Sequence, residues 1–217
     1  MRYQLASSAI VLSLIVSPLS AADDPFKPIE DKPGLPRVLL IGDSISIGYT
    51  LPTRKALDGK ANVHRIPANS GTTANTLEKL DKWLGGGKWD AIHVNVGLHD
   101  IKQVRGARQV SPEEYEKNLR AIVARLKKTG AIVIWATTTP VPEGAAGRTP
   151  GDEVAYNAIA AKVMADEKVA VNDLYALAKG HQAKWQRKAN VHFNEEGSRG
   201  LGKRVASEIE KVLAAKR

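Results

Sequence analysis

The chain has 217 residues, 43% hydrophobic and 25% charged, an ordinary composition for one large globular domain that excludes collagen-like and wholly disordered structure. It contains no cysteine, so a disulfide framework, a thiolate zinc site and a thiol nucleophile are all impossible. The formal net charge of +9 leaves nucleic acid, an anionic membrane, an acidic substrate or a merely basic surface as explanations.

Residues 1–22 read as a signal peptide. Arg2 supplies a positive start, Leu5 to Leu19 is mostly apolar, and Ser20-Ala21-Ala22 offers small residues for cleavage after Ala22. The apolar run falls short of the ~18 or more residues expected of a membrane span. The expected mature product is therefore exported, periplasmic or secreted, without an integral membrane span. Residues 23–36 (DDPFKPIEDKPGLP) hold four prolines among alternating charges, which prevents a helix and predicts an extended leader. The domain is expected to occupy 37–217.

Arg37 to Ile41 (RVLLI) is a short apolar run ending in Gly42, and similar runs recur at Ala61–Ile66, Ala91–Val96, Ala131–Ala136 and Val169–Val171. Helical patterns lie between them. Ala74–Leu84 ends at Gly85-Gly86-Gly87. Ser111-Pro112-Glu113-Glu114 is a capping box with proline at the first helical position, followed by Tyr115, Leu119, Ile122 and Leu126 on one face, and Gly130 stops it. Asp152–Asp166 and Glu195–Ala215 complete the set, the last turning Leu201, Val205, Ile209 and Leu213 inward. Alternating strands and helices, with strands apolar on both faces, predict a mostly parallel five-stranded sheet in a three-layer α/β/α sandwich. Ligands of such sheets sit beyond the C-terminal strand ends. The long connection Pro140 to Gly151 is a candidate flap over that edge.

The residues with chemistry fall at the same edge. Gly42-Asp43-Ser44 follows the first strand and places a serine at a strand-to-helix turn, where a nucleophile belongs, although Gly-Asp-Ser is equally a good turn and N-cap sequence. Asn69-Ser70-Gly71 follows the second strand, Gly97-Leu98-His99-Asp100 the third, and Val191-His192-Phe193-Asn194 precedes the last helix.

In these motifs and their order, from about Arg37 to the last helix, the chain resembles the SGNH hydrolases, the GDSL esterase/lipase superfamily. The resemblance implies a flavodoxin-like sandwich and a serine ester hydrolase working without a cofactor. It implies Ser44 as nucleophile, His192 as general base, and an oxyanion hole from the backbone N–H groups of Ser44 and Gly71. Two positions depart from the family pattern. His99 stands where an asparagine normally donates to the oxyanion; an imidazole N–H can also donate, and if the imidazolium were required, activity would fall as pH rises through the His99 pKa. The alternative is that His99 only packs. Ala189 stands where the triad acid is usual, three residues before the histidine. In a triad hydrolase, replacing the acid by its amide lowers turnover ~10⁴-fold, so an active enzyme needs a substitute acceptor. Asn190, a backbone carbonyl, Asp173 and Asp152 remain open.

Of the other histidines, His93 sits in an apolar strand and is expected to be a satisfied core residue, with His64 and His181 uninformative. No histidine pair has a zinc spacing, so no metal is expected. Trp185 reads as a partly buried loop residue, with a cleft wall as the sharper alternative. The expected substrates are short acyl esters, such as acetyl groups on a polysaccharide. An arylesterase, a lysophospholipase, or an inactive domain that binds glycans are the alternatives. From Lys179 to Arg217 there are ten Lys/Arg and four Asp/Glu. Nucleic acid is not expected, since no binding motif accompanies the charge, and Lys184, Arg187 and Lys188 form a candidate steering surface for an anionic polymer.

Overall fold

The computed structural model describes residues 24–215; the expected signal peptide lies outside them. Strand β1 (Arg37–Gly42) leads into helix α1 (Ser44–Ala56), β2 (Asn62–Arg65) into α2 (Thr73–Leu84), and β3 (Ala91–Asn95) into a small hairpin of β4 (Gln103–Val104) and β5 (Ala107–Arg108). There follow α3 (Pro112–Lys127), β6 (Ile132–Ala136), α4 (Asp152–Asp166), β7 (Ala170–Asn172), two short helices α5 (Leu174–Gly180) and α6 (Gln182–Trp185), and α7 (Glu195–Ala215). The main sheet has five strands in the order β2-β1-β3-β6-β7, and every neighbouring pair is parallel. This is the flavodoxin-like order, with its switch point between β1 and β3.

The strands sort by burial as this topology requires. β1 and β3, inside the sheet, are buried along almost their whole length, whereas the edge strand β7 exposes Ala170 and Val171. A strand covered by helices on both faces is apolar at most positions, which erases the alternation that would mark a one-sided strand. α1, α5 and α6 pack against α7 on one side, while α2 packs on α3 and α3 on α4, forming the two helical layers. Gly202 allows the closest approach: a Cβ there would meet Pro52 Cβ at 2.5 Å and the Tyr49 carbonyl at 3.0 Å. The Ser111 hydroxyl accepts from Glu114 N–H at 3.2 Å, so the cap read from sequence is formed.

Residues 24–36 form neither helix nor strand but are fastened to the domain. The Asn62 side chain accepts from Lys32 N–H at 2.9 Å and donates to the carbonyls of Lys32 and Leu35. Phe26 lies under the Arg65 guanidinium, 5.1 Å from ring centre to cation. No helix among the described residues is long and apolar enough to cross a membrane.

Two local readings need correction. His93 is fully buried, but only half satisfied. Asn172 commits its oxygen to Arg204 and presents its amide N–H to His93 Nε2 at 3.1 Å, so the proton sits on Nδ1, which has no partner among the described residues. Burial holds this imidazole neutral, its pKa pushed down to about 3. Trp185 is a core residue and no cleft wall: it stacks on His181 with ring centres 4.0 Å apart, and Gly197 and Gly200 leave room for it in α7.

Candidate active site

Ser44 is the first residue of α1, immediately beyond the C-terminal end of β1. Asp43 caps the helix, its carboxylate accepting from Ile45 N–H at 2.9 Å. Gly42 precedes it because a Cβ there would lie 2.5 Å from Ser46 Cβ and 2.9 Å from the Asn95 carbonyl. Arg65 clamps the turn from beneath, donating to the carbonyls of Gly42 and Asp43 at 3.1 and 3.2 Å. This cation is buried, and desolvation lowers its pKa to about 10, so it stays charged at neutral pH. Burial also pushes Asp43 up to about 6 against its helix N–H bond and the attraction of Arg148 and Arg65.

His192 arrives from the far end of the chain on a closed loop. Gln186 and Phe193 pair as an isolated antiparallel bridge, Arg187 N–H donates to the His192 carbonyl at 3.0 Å, and the Gln186 amide reaches the carbonyls of Pro140 and Val191. Asn194 then caps α7 by accepting from Gly197 N–H. The loop turns at Ala189, whose φ of 51° lies in the left-handed region. His192 Nε2 is 2.8 Å from Ser44 Oγ.

Asn190 occupies the other side of the ring. Its Oδ1 lies 2.7 Å from His192 Nδ1 and 3.0 Å from His192 backbone N. The backbone N–H can only donate, so the amide must present its oxygen, and Nδ1 is then the protonated ring nitrogen. That tautomer leaves the Nε2 lone pair facing the Ser44 hydroxyl. Among the groups left open at the acid position, Asp152 is engaged elsewhere, forming a two-pronged ion pair with Arg108 at 2.7 and 3.0 Å. Asp173 is engaged as the cap of α5 and accepts from Thr137.

Gly71, with φ of 65°, lies beyond β2, and its N–H donates to Asn69 Oδ1 at 2.9 Å. Gly97 is fixed by space: a Cβ would fall 2.3 Å from Thr138 Oγ1. Asp100 turns inward from the same motif and accepts from both N–H and hydroxyl of Thr73, tying the β3 loop to the start of α2. His99 is half-buried, and its imidazole makes no hydrogen bond among the described residues. Burial, then Arg148, Lys102 and His192, push its pKa down to about 4. A ring held this low is neutral at neutral pH, and the hydrogen it has to offer is that of a neutral N–H.

Arg148, which the sequence reading passed over, enters from the Pro140–Gly151 connection. That segment is tied down: Arg148 Nε donates to the Leu98 carbonyl at 2.8 Å and Gln103 N–H to the Gly147 carbonyl at 2.7 Å. A cleft of about 690 Å³ opens beside the serine and histidine, lined in part by Ile47, Gly48, Leu51, Arg187 and Ser198. Among the described residues no group of His, Asp and Glu is arranged to hold a metal ion.

A flavodoxin-like sandwich with these four motifs over its C-terminal edge defines the SGNH class of carboxylic ester hydrolases. Residues 40–199 match the GDSL-like lipase/acylhydrolase family, and the chain belongs to that family. No curated protein matches it in sequence. Among solved structures, the fold is similar to the lipase/acylhydrolase from Enterococcus faecalis (TM-score 0.72, 20% identity, covering 82% of this chain and 96% of that one). It is similar to the acetyl xylan esterase AlAXEase (TM-score 0.69, 19% identity, 80% and 99% covered). Axe2, an acetylxylan esterase from Geobacillus stearothermophilus, is a third likeness (TM-score 0.68, 17% identity, 80% and 94% covered).

Proposed function

We propose that Ser44 is the nucleophile and His192 the general base of an exported esterase that removes short acyl groups, acetyl above all, from a polysaccharide. The 2.8 Å contact between Ser44 Oγ and His192 Nε2, with Nδ1–H held by Asn190, carries this reading. His192 takes the hydroxyl proton as Ser44 attacks the ester carbonyl, then returns it to the leaving alcohol. Water, activated by the same imidazole, hydrolyses the acyl-serine.

The oxyanion is held by the N–H groups of Ser44 and Gly71, with neutral His99 as third donor. The Gly71 amide must swing from Asn69 or share its hydrogen to do so. His99 is supported in this role because its ring has no competing partner and its charge state does not change in the working range. The likeness to two acetyl xylan esterases favours small acyl groups. A series of 4-nitrophenyl esters from acetate to palmitate tests this. The expected kcat/KM is highest at acetate or butyrate; a maximum at long chains would instead assign a lipase.

The pH profile follows from the two imidazoles. His192 must be neutral to act, and burial together with Arg187 and Arg148 holds its pKa below the ordinary 6.5. The expected kcat/KM is flat above neutrality and falls on acidification with a midpoint below 6.5. Because His99 is pushed down to about 4, it contributes no falling limb between pH 6 and 9. Such a limb, lost in His99→Asn, would show that the imidazolium is the donor.

A further inference from the structure

Arg65 ends the edge strand β2, and it is buried. A guanidinium is costly to bury unless its N–H groups are met, and here the two terminal nitrogens, with two hydrogens each, face four backbone carbonyls. Nη2 donates to Gly42 and Asp43 at 3.1 and 3.2 Å, on the turn that presents Ser44. Nη1 donates to Ile66 and Ala68 at 3.1 and 3.2 Å, on the loop that leads to Gly71. One rigid fork therefore bridges the two backbone segments whose N–H groups are the proposed oxyanion donors. A direct bond from Ser70 N–H to the Gly42 carbonyl, 3.1 Å long, joins the same segments.

The guanidinium is covered by the leader. The Phe26 ring faces it, 5.1 Å from ring centre to cation. An aromatic face attracts the flat side of the cation and leaves its edge N–H groups free for the carbonyls, so the two interactions do not compete. The leader is held along β2 at two further points: Asn62 engages the Lys32 backbone, and His64 meets Asp31 at 2.6 Å.

We propose that Arg65 is a positioning residue that sets the placement of the Gly71 N–H relative to Ser44, and that the leader, through Phe26, is a working part of the site because it holds Arg65 in place. This deepens the esterase reading and rests on it. Oxyanion donors act by being fixed before charge develops, and a displacement of ~1 Å is enough to lose ~10²-fold in rate. Lysine would keep the charge but offers a point cation without a planar fork, so it cannot hold carbonyls of both segments in the same way.

The test measures hydrolysis of 4-nitrophenyl acetate by the purified protein and by Arg65→Lys, Phe26→Ala and Phe26→Tyr, each assayed well below its own melting temperature. The expected kcat falls ~10²-fold in Arg65→Lys and ~5-fold in Phe26→Ala, with KM changed by less than ~2-fold in both. Phe26→Tyr keeps the aromatic face and is expected to retain the parental kcat. Lys32→Ala removes an exposed contact between the leader and Asp58 and serves as the control, with kcat unchanged. The two Phe26 variants decide the matter if Arg65→Lys does not fold.

A purely structural role would lower the melting temperature and leave the kcat of the folded protein at the parental value; that result in either Arg65→Lys or Phe26→Ala overturns the proposal. A KM that rises at constant kcat would overturn it as well, by placing these residues in substrate binding. If the parent protein does not hydrolyse 4-nitrophenyl acetate, the esterase reading fails and this proposal with it.

Discussion

Ser44→Ala is expected to lower kcat for 4-nitrophenyl acetate by at least ~10³-fold, with the melting temperature little changed. The Ser44 hydroxyl's hydrogen bond is to His192, and the turn that holds it is maintained by the backbone, by Asp43 as cap and by the Arg65 clamp. Removing the oxygen therefore deletes the proposed nucleophile without releasing the turn. His192→Ala should cost a similar factor, and the double variant little more than either alone, because the two groups act in one step and their losses do not add. Initial-rate kinetics on the three variants, with thermal unfolding as a control, make the measurement. Equal rates in Ser44→Ala and the parent would remove the nucleophile assignment; additive losses would show that serine and histidine act independently.

Asn190→Asp is expected to raise kcat by ~10-fold and to move the acidic limb of the pH profile upward. The amide differs from the usual carboxylate in one respect only. Its orientation is pinned by the backbone N–H of His192, so the imidazole keeps the tautomer that faces Nε2 toward the serine. In a triad whose acid becomes an amide, the ~10⁴-fold loss arises largely from the wrong tautomer; here that loss is avoided. What the asparagine cannot supply is charge. When His192 becomes an imidazolium in the transition state, a neutral acceptor gives ~1–2 kcal/mol less than a carboxylate at the same distance, which corresponds to about tenfold in rate.

Asn190→Ala removes both bonds and should lower kcat ~10²-fold with KM nearly unchanged, since the imidazole loses orientation and not substrate contact. The pH midpoint separates a positioning role from a purely structural one: it rises with Asp because the carboxylate stabilises the imidazolium, whereas a structural role would leave it unmoved. If Asn190→Asp leaves both rate and midpoint unchanged, another group orients His192.

The apolar runs and the strand-and-helix rhythm were sufficient to read a parallel α/β sandwich, because strands buried on both faces are mostly apolar and their helices carry caps and stops of their own. The Ser44 and His192 motifs were legible for a related reason. Each lies at a strand end or before a helix, where turn chemistry restricts the residue choice. The hairpin β4–β5, α5 and α6 escaped notice because two-residue strands and one- or two-turn helices have no periodicity to detect.

Arg65 left only a faint trace, a cation inside an apolar run, whose purpose depends on two carbonyls from another strand. Arg148 left less, since a basic residue in a Gly/Pro-rich connection reads as solvated surface until the hairpin fastens that connection over the site. The acceptor for His192 could not be chosen from sequence for the same reason. Asn190, a backbone carbonyl, or a carboxylate brought from elsewhere such as Asp152 or Asp173 were all open, and partners distant in the chain occupy the two carboxylates: Arg108 engages Asp152, and Thr137 together with the α5 backbone engages Asp173. Local conformation and burial pattern were thus fixed by neighbouring residues, which sequence displays. Which charges are paired and which oxygen meets His192 depended on contacts across the sheet edge, which only the tertiary structure brings about.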